Sequence, residues 1–81
     1  GITDTDDDAA DNIPAQALLD MVAALPSVRR TVFNMYCIDG FSHKDIAAAI
    51  GITEKGSASI LAKARAQLKS QVNDYLKRTG R

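Results

Sequence analysis

Apolar residues along this chain recur at the three- and four-residue spacing of α-helices, and helix-stopping residues divide that pattern into segments. Pro14 suits the first position of a helix, and Pro26 opens the next helical segment. Asp39-Gly40 is a turn signal, and Gly51 closes a short third segment. The pattern therefore predicts an all-α domain of four helices with short connections, in which the last helix is long.

The four predicted helices each carry an apolar side. In the first two helices the predicted core positions are Leu18, Leu19, Met21 and Val22, then Val28, Val32, Phe33, Met35 and Tyr36. Ser42 is predicted to be the N-cap of the third helix, and Thr53 the cap of a fourth helix that ends near Lys77. Here the predicted core positions are Ile46, Ala47 and Ile50, then Ile60, Leu61, Ala64, Leu68, Val72 and Tyr75.

The charges of the chain are unevenly distributed although the formal net charge is zero. Residues 1–24 contain six acidic residues and no basic one. From position 55 to the end there are seven basic residues and a single acidic one, Asp74. A basic final third favours a polyanionic partner there. A solvated helix face is the other interpretation, and charge alone does not separate the two.

The 81 residues are long enough for one small domain. We predict an acidic head or linker remnant without fixed structure over 1–12, the folded domain over 13–77 and a disordered tail over 78–81. No apolar stretch approaches the roughly 18 residues of a membrane span, and no signal-peptide pattern opens the chain. The single cysteine, Cys37, leaves the redox compartment open.

The sequence offers little that suggests catalysis. Cys37 is the single cysteine, so an internal disulfide is excluded, and we interpret it as a small buried hydrophobic residue. His43 follows a predicted helix cap and has no second ligand at metal-binding spacing, so a structural role at the surface is expected. Paired acids, a metal cluster and a phosphate-binding loop are not recognisable. The sequence therefore predicts a protein that is not an enzyme and needs no metal or cofactor.

The stretch from Ser42 to Leu68 has the plan of a helix-turn-helix: a short helix, a tight turn through 51–53 and a longer second helix. The side of the second helix that faces away from its apolar stripe is small and basic. It carries Lys55, Ser59, Ala62 and Ala66, flanked by Lys63 and Lys69. Small side chains let a helix enter the major groove, and flanking bases contact phosphates. The pattern favours DNA binding, although helical hairpins in ordinary bundles can imitate it.

Several segments resemble region 4 of extracytoplasmic-function sigma factors, especially the type common in Bacteroides-like bacteria. They are Leu25-Pro26, Arg30 to Tyr36, Asp39 to Ala47 and Ile50 to Glu54, and the whole resemblance covers about residues 14–70. It implies that the last helix recognises the −35 promoter element and that the domain docks on the flap of core RNA polymerase. An anti-sigma partner and a cytoplasmic location are implied as well. The DNA-binding residues predicted from the resemblance and the basic pattern are Lys44, Thr53, Lys55, Ser57, Ser59, Lys63 and Arg65.

The chain departs from this family at the start of the recognition helix. Family members typically have Thr, Val or Ser, Lys or Arg, Ser, and Arg or Gln there, and this chain has residues 56–60, Gly-Ser-Ala-Ser-Ile. Neither Ala58 nor Ile60 can donate a side-chain hydrogen bond to DNA. We therefore expect weak DNA binding by the isolated domain.

Two hypotheses about function follow. The first is a sigma domain that binds promoter DNA mainly when polymerase tethers it. The second is a sigma-like interaction module whose exposed face at 58–60 binds an anti-sigma or other regulatory protein. An output domain of an autoinducer-type response regulator shares the helix-turn-helix plan, but Leu25-Pro26 and residues 39–47 fit the sigma pattern better.

Overall fold

The computed structural model describes residues 13–79, apart from the side chain of Thr79, so the predicted acidic head lies outside the described residues. Four helices follow one another within this part of the chain. They are α1 (Ala15–Ala23), α2 (Ser27–Phe33), α3 (His43–Ile50) and α4 (Glu54–Thr79). A π-helical turn, Asn34–Ile38, continues α2. The predicted all-α fold with a long last helix is confirmed.

The turn between α3 and α4 is defined by local capping. The hydroxyl of Ser42 accepts a hydrogen bond from the backbone N–H of Asp45, at 3.1 Å. Thr53 Oγ1 accepts one from Gly56 N–H at 2.8 Å. Both hydroxyls occupy the role of an N-cap, which satisfies helix N–H groups that have no partner within the helix. Gly51 ends α3 at φ +77°, a left-handed conformation that glycine adopts without the steric penalty of a Cβ atom.

Two apolar clusters hold the helices together. One residue each from α2, α3 and α4 forms the first cluster, which we call the helix-turn-helix core: Val32, Ile46 and Leu61. The second contains Leu25, Ala64 and Leu68, with Met21 and Val22 of α1 packed against it. Phe33 packs against both clusters. Fully burying an aliphatic side chain stabilises a fold by about 1.5–3 kcal/mol. The helix-turn-helix core therefore fixes α4 against both α2 and α3.

The π-helical turn changes how the chain leaves α2. The N–H of Asp39 donates to the carbonyl of Asn34, five residues earlier, and the N–H of Phe41 donates to Met35 O. Each turn of a π-helix holds more residues than a turn of an α-helix, so side chains after its start no longer follow the α-helical period. The prediction that Cys37 is buried is wrong, because its side chain lies in this turn and is exposed.

Three further predictions are corrected by the structure. Leu19 is 60% exposed, because α1 packs on the body through its other side. Val28 is 52% exposed in the first turn of α2. The last helix continues beyond Lys77 to Thr79, so residues 78 and 79 belong to α4 and not to a disordered tail.

Candidate nucleic-acid interface

The outward side of α4 is a continuous exposed surface, which we call the α4 face. It consists of Lys55, Ala58, Ser59, Ala62, Lys63 and Ala66, all of them exposed. These residues recur every three or four positions, which places them on one side of the helix. The structure thus brings three of the predicted DNA-binding residues onto one surface: Lys55, Ser59 and Lys63.

Two other predicted DNA-binding residues precede α4 in the chain: Lys44 lies in α3, and Thr53 lies in the turn that leads into α4. Lys44 is in the first turn of α3 and is exposed. Thr53 is exposed in the turn, and its hydroxyl oxygen already accepts the hydrogen bond from Gly56 that caps α4. The Thr53 hydroxyl can still donate its own proton.

The predicted contact between Ser57 and DNA is wrong for this conformation. Ser57 lies in the first turn of α4 but faces inward, and its exposed fraction is 0%. Its Oγ atom forms a 2.9 Å hydrogen bond with Nδ1 of His43, the first residue of α3. Ser57 is therefore a buried polar residue beneath the α4 face.

His43 links three parts of the domain. Its ring stacks on the ring of Tyr36, with centroids 4.4 Å apart and planes inclined by 14°. The same imidazole bonds Ser57, so the π-helical turn, α3 and α4 meet at one half-buried side chain. The expected structural role of His43 is supported by these contacts. Its partners are invisible in the sequence, because 14 residues separate His43 from Ser57.

Arg65 lies next to this junction. Its guanidinium carbon is 6.0 Å from the centroid of the Tyr36 ring, a cation–π distance. Its Nη2 lies 4.0 Å from Cys37 Sγ, at the limit of a weak hydrogen bond to sulfur. The Arg65 side chain is exposed, so it remains available to an external anion while the π-helical turn orients it.

Ile60 does not belong to the exposed surface. It is half-buried and packs against the helix-turn-helix core. The exposed face that the interaction hypothesis places at 58–60 is therefore reduced to Ala58 and Ser59. Ile60 takes a packing position because residues 57, 60, 61 and 64 follow the inward stripe of α4.

Two general features bear on function. Among residues 13–79, no group of three or more His, Cys, Asp or Glu side chains could hold a metal ion. No helix in this part of the chain is long and apolar enough to cross a membrane.

This geometry defines a helix-turn-helix domain. It has a short helix, a left-handed glycine, a capped turn and a long helix with exposed lysines on its outward side. The family model for sigma-70, region 4 matches residues 15–68. The chain therefore belongs to the sigma-70 region 4 family, the part of sigma factors that recognises the −35 promoter element and interacts with RNA polymerase in transcription initiation. This is a family of DNA-binding domains and not of enzymes. Neither the search of curated proteins nor the search of solved structures gave a match.

Proposed function

We propose that this chain is the −35-recognising domain of an alternative sigma factor of the extracytoplasmic-function type, similar to those common in Bacteroides-like bacteria. It acts in the cytoplasm, where α4 enters the major groove of promoter DNA. The observation that carries the proposal is the α4 face, in which small side chains alternate with exposed lysines above a fully packed helix-turn-helix core.

The spacing of the two lysines on the α4 face fits DNA. Lys55 and Lys63 are eight residues apart, which is about 12 Å along a helix axis. The major groove is about 12 Å wide and admits a helix whose diameter with side chains is about 10–12 Å. Ala58 and Ala62 lie between them and leave room for close approach. The lysines thus contact phosphates at the edges of the groove, while Ser59 lies nearest to the base edges.

Three further side chains extend the contact. Lys44 in α3 and Thr53 in the turn contact the phosphate backbone beside the groove, as exposed residues on the connection into α4. Arg65 contacts a phosphate from the side of the π-helical turn. Phosphate contacts position a protein on DNA but carry little sequence information. The isolated domain is therefore expected to bind weakly, and attachment to polymerase raises its effective concentration at the promoter.

Salt dependence tests this proposal. The four basic residues among these contacts predict a slope of about −3 to −4 when the logarithm of the binding constant is plotted against the logarithm of salt concentration. Lys63→Ala should flatten the slope by about one unit. Lys77→Ala removes the same charge from the far end of α4 and is the matched control, for which we expect an unchanged slope. Fluorescence anisotropy with a random-sequence duplex measures both, and tight binding that is insensitive to salt contradicts the proposal.

Exposed apolar residues favour a second function, the binding of a regulatory protein such as an anti-sigma factor. Ile38 is 68% exposed and Phe41 is 43% exposed, both at the connection before α3. Apolar side chains on the surface fit a protein partner better than they fit DNA.

Ala58→Lys separates the two functions. If the α4 face binds DNA, the added charge should strengthen binding and steepen the salt slope by about one unit. If the chain instead binds a protein through Ile38 and Phe41, Ala58→Lys should leave DNA affinity unchanged, and Phe41→Ser is the variant expected to lose the partner. Ile60→Arg does not belong in this test, because Ile60 packs against the helix-turn-helix core and an arginine there lowers stability first.

A further inference from the structure

We propose that His43 is a positioning residue for DNA binding, which sets the start of α4 through Ser57 and orients Arg65 through Tyr36. The inference rests on the proposed function, because it assigns a further role in the same interface. In the proposed complex, His43, Ser57 and Tyr36 do not contact DNA themselves. They determine the positions of the residues that do.

The first argument is the burial of Ser57. A buried hydroxyl group without a partner destabilises a fold by about 1–3 kcal/mol. Ser57 is fully buried, and the side chain that it bonds is His43. The bond to the imidazole of α3 therefore offsets the cost of burying Ser57 and favours the inward orientation of the first turn of α4.

The second argument is the directionality of these contacts. The apolar packing of Val32, Ile46 and Leu61 brings the helices together but permits small rotations, because burial of apolar surface has no preferred direction. A hydrogen bond weakens steeply as its angle departs from linearity. The bond between His43 and Ser57 adds a directional restraint near the N-terminus of α4, next to Lys55 and Ser59.

The third argument is the link to Arg65. The stack of His43 on Tyr36 fixes the tyrosine ring, and the Arg65 guanidinium lies 6.0 Å from the centroid of that ring. A displaced imidazole would release the tyrosine and, through it, the arginine. One side chain thus influences contacting residues that are separated by about two helical turns along α4.

Three variants separate the effect of the bond to Ser57 from the effect of the stack on Tyr36. Ser57→Ala removes the hydroxyl, His43→Phe keeps a ring for the stack but loses the bond, and His43→Asn keeps a hydrogen-bonding group but loses the ring. The control is Gln67→Ala, which leaves the net charge unchanged and removes another side-chain hydrogen bond between α4 and α2, the 2.8 Å bond that Arg29 Nη1 donates to Gln67 Oε1. Every variant is measured at a temperature at which circular dichroism shows it to be folded.

DNA affinity of the folded 81-residue chain for a random-sequence duplex is the readout. Loss of the bond should leave part of the population with a misplaced α4, so Ser57→Ala and His43→Phe should each weaken binding about threefold to tenfold. The double variant Ser57→Ala/His43→Phe should be no weaker than either single variant, since both remove the same bond. His43→Asn should bind DNA more tightly than His43→Phe because it keeps the bond. Without the ring it should lose the contribution of Arg65, so Arg65→Ala should weaken binding less in His43→Asn than in the unaltered chain. Gln67→Ala should lower only the melting temperature.

Two results would overturn the inference. If the folded variants bind DNA as tightly as the parent chain, His43 and Ser57 contribute to stability alone, and the proposed function is unaffected. If the unaltered chain itself fails to bind DNA even at low salt, the proposed function is lost and this inference with it. The unaltered chain, measured in parallel, distinguishes the two failures.

Discussion

Three helices pack on α4, and two of them, α3 and α1, do so in different ways. α3 buries Ile46 and Ala47 and adds the directional bond from His43 to Ser57. α1 has no fully buried residue, although Met21 and Val22 pack partly against the second cluster. The contact of α3 with α4 is tight and directional, and the contact of α1 with α4 is looser and mainly apolar.

A groove marks the looser contact. It has a volume of about 330 Å³ and lies between α1 and the last turns of α4. Its lining residues are Ala17, Asp20, Met21, Ala24, Gln71, Asp74, Tyr75 and Arg78. The Oε1 atom of Gln71 is buried and has no hydrogen-bond partner. The C-terminal end of α1 is anchored by Arg30, whose guanidinium donates to the carbonyl of Ala23 at 2.9 Å.

The difference shows that the position of α4 is fixed more exactly by α3 than by α1. A helix that contacts DNA must be held within about 0.5 Å of its productive position. The α3–α4 contact carries the caps, the left-handed glycine and the buried polar bond, whereas the α1–α4 contact tolerates an empty groove. Substitutions should therefore have unequal effects on the two sides of α4.

The largest effect is expected in the helix-turn-helix core. Leu61→Asp places a carboxylate at a position that is 4% exposed, so it should destabilise the domain by more than about 4 kcal/mol and leave it unfolded. Leu19→Asp introduces the same charge on the exposed side of α1 and should change stability by less than about 0.5 kcal/mol. Thermal melts followed by circular dichroism compare the two, and equal melting temperatures would show that the helix-turn-helix core is wrongly assigned.

A smaller effect of opposite sign is expected in the groove. Gln71→Leu replaces a buried, unpartnered amide oxygen by apolar surface against Met21 and should raise the free energy of unfolding by about 1 kcal/mol. Gln71→Ala removes the same oxygen without filling the groove and is the matched variant. Chemical denaturation measures the change. Loss of stability in Gln71→Leu would mean that the amide has a partner in solution, such as an ordered water.

The smallest effect is expected at the N-terminus. Residues 1–11 bring five aspartates and little apolar surface, so their removal should leave the melting temperature nearly unchanged. Ile13→Ala, two residues further on, should cost about 2 kcal/mol, because Ile13 is 7% exposed. A fall of many degrees after removal of 1–11 would show that the acidic segment docks on the domain.

Much of the fold could be predicted because its signals are local. Ser42 and Thr53 each cap a helix through an N–H three residues ahead, and Gly51 meets a backbone requirement at its own position. The apolar inward positions of α3 and α4 follow from helical periodicity alone. The exposed lysines of the α4 face could be predicted for the same reason, since they lie opposite the apolar stripe.

The tertiary structure alone decided the rest. Whether Leu19, Val28 and Cys37 are buried depends on which neighbour covers them and on the π-helical turn, and no local pattern specifies either. Ser57 looks like a DNA contact in the sequence and is a buried partner of His43 in the fold. Arg65 reaches Cys37 across 28 residues of sequence. Periodicity and capping involve residues within about one helical turn of each other, so they can be recognised from the order of residues. The contacts of His43 with Ser57 and of Arg65 with Cys37 depend instead on how the helices cross.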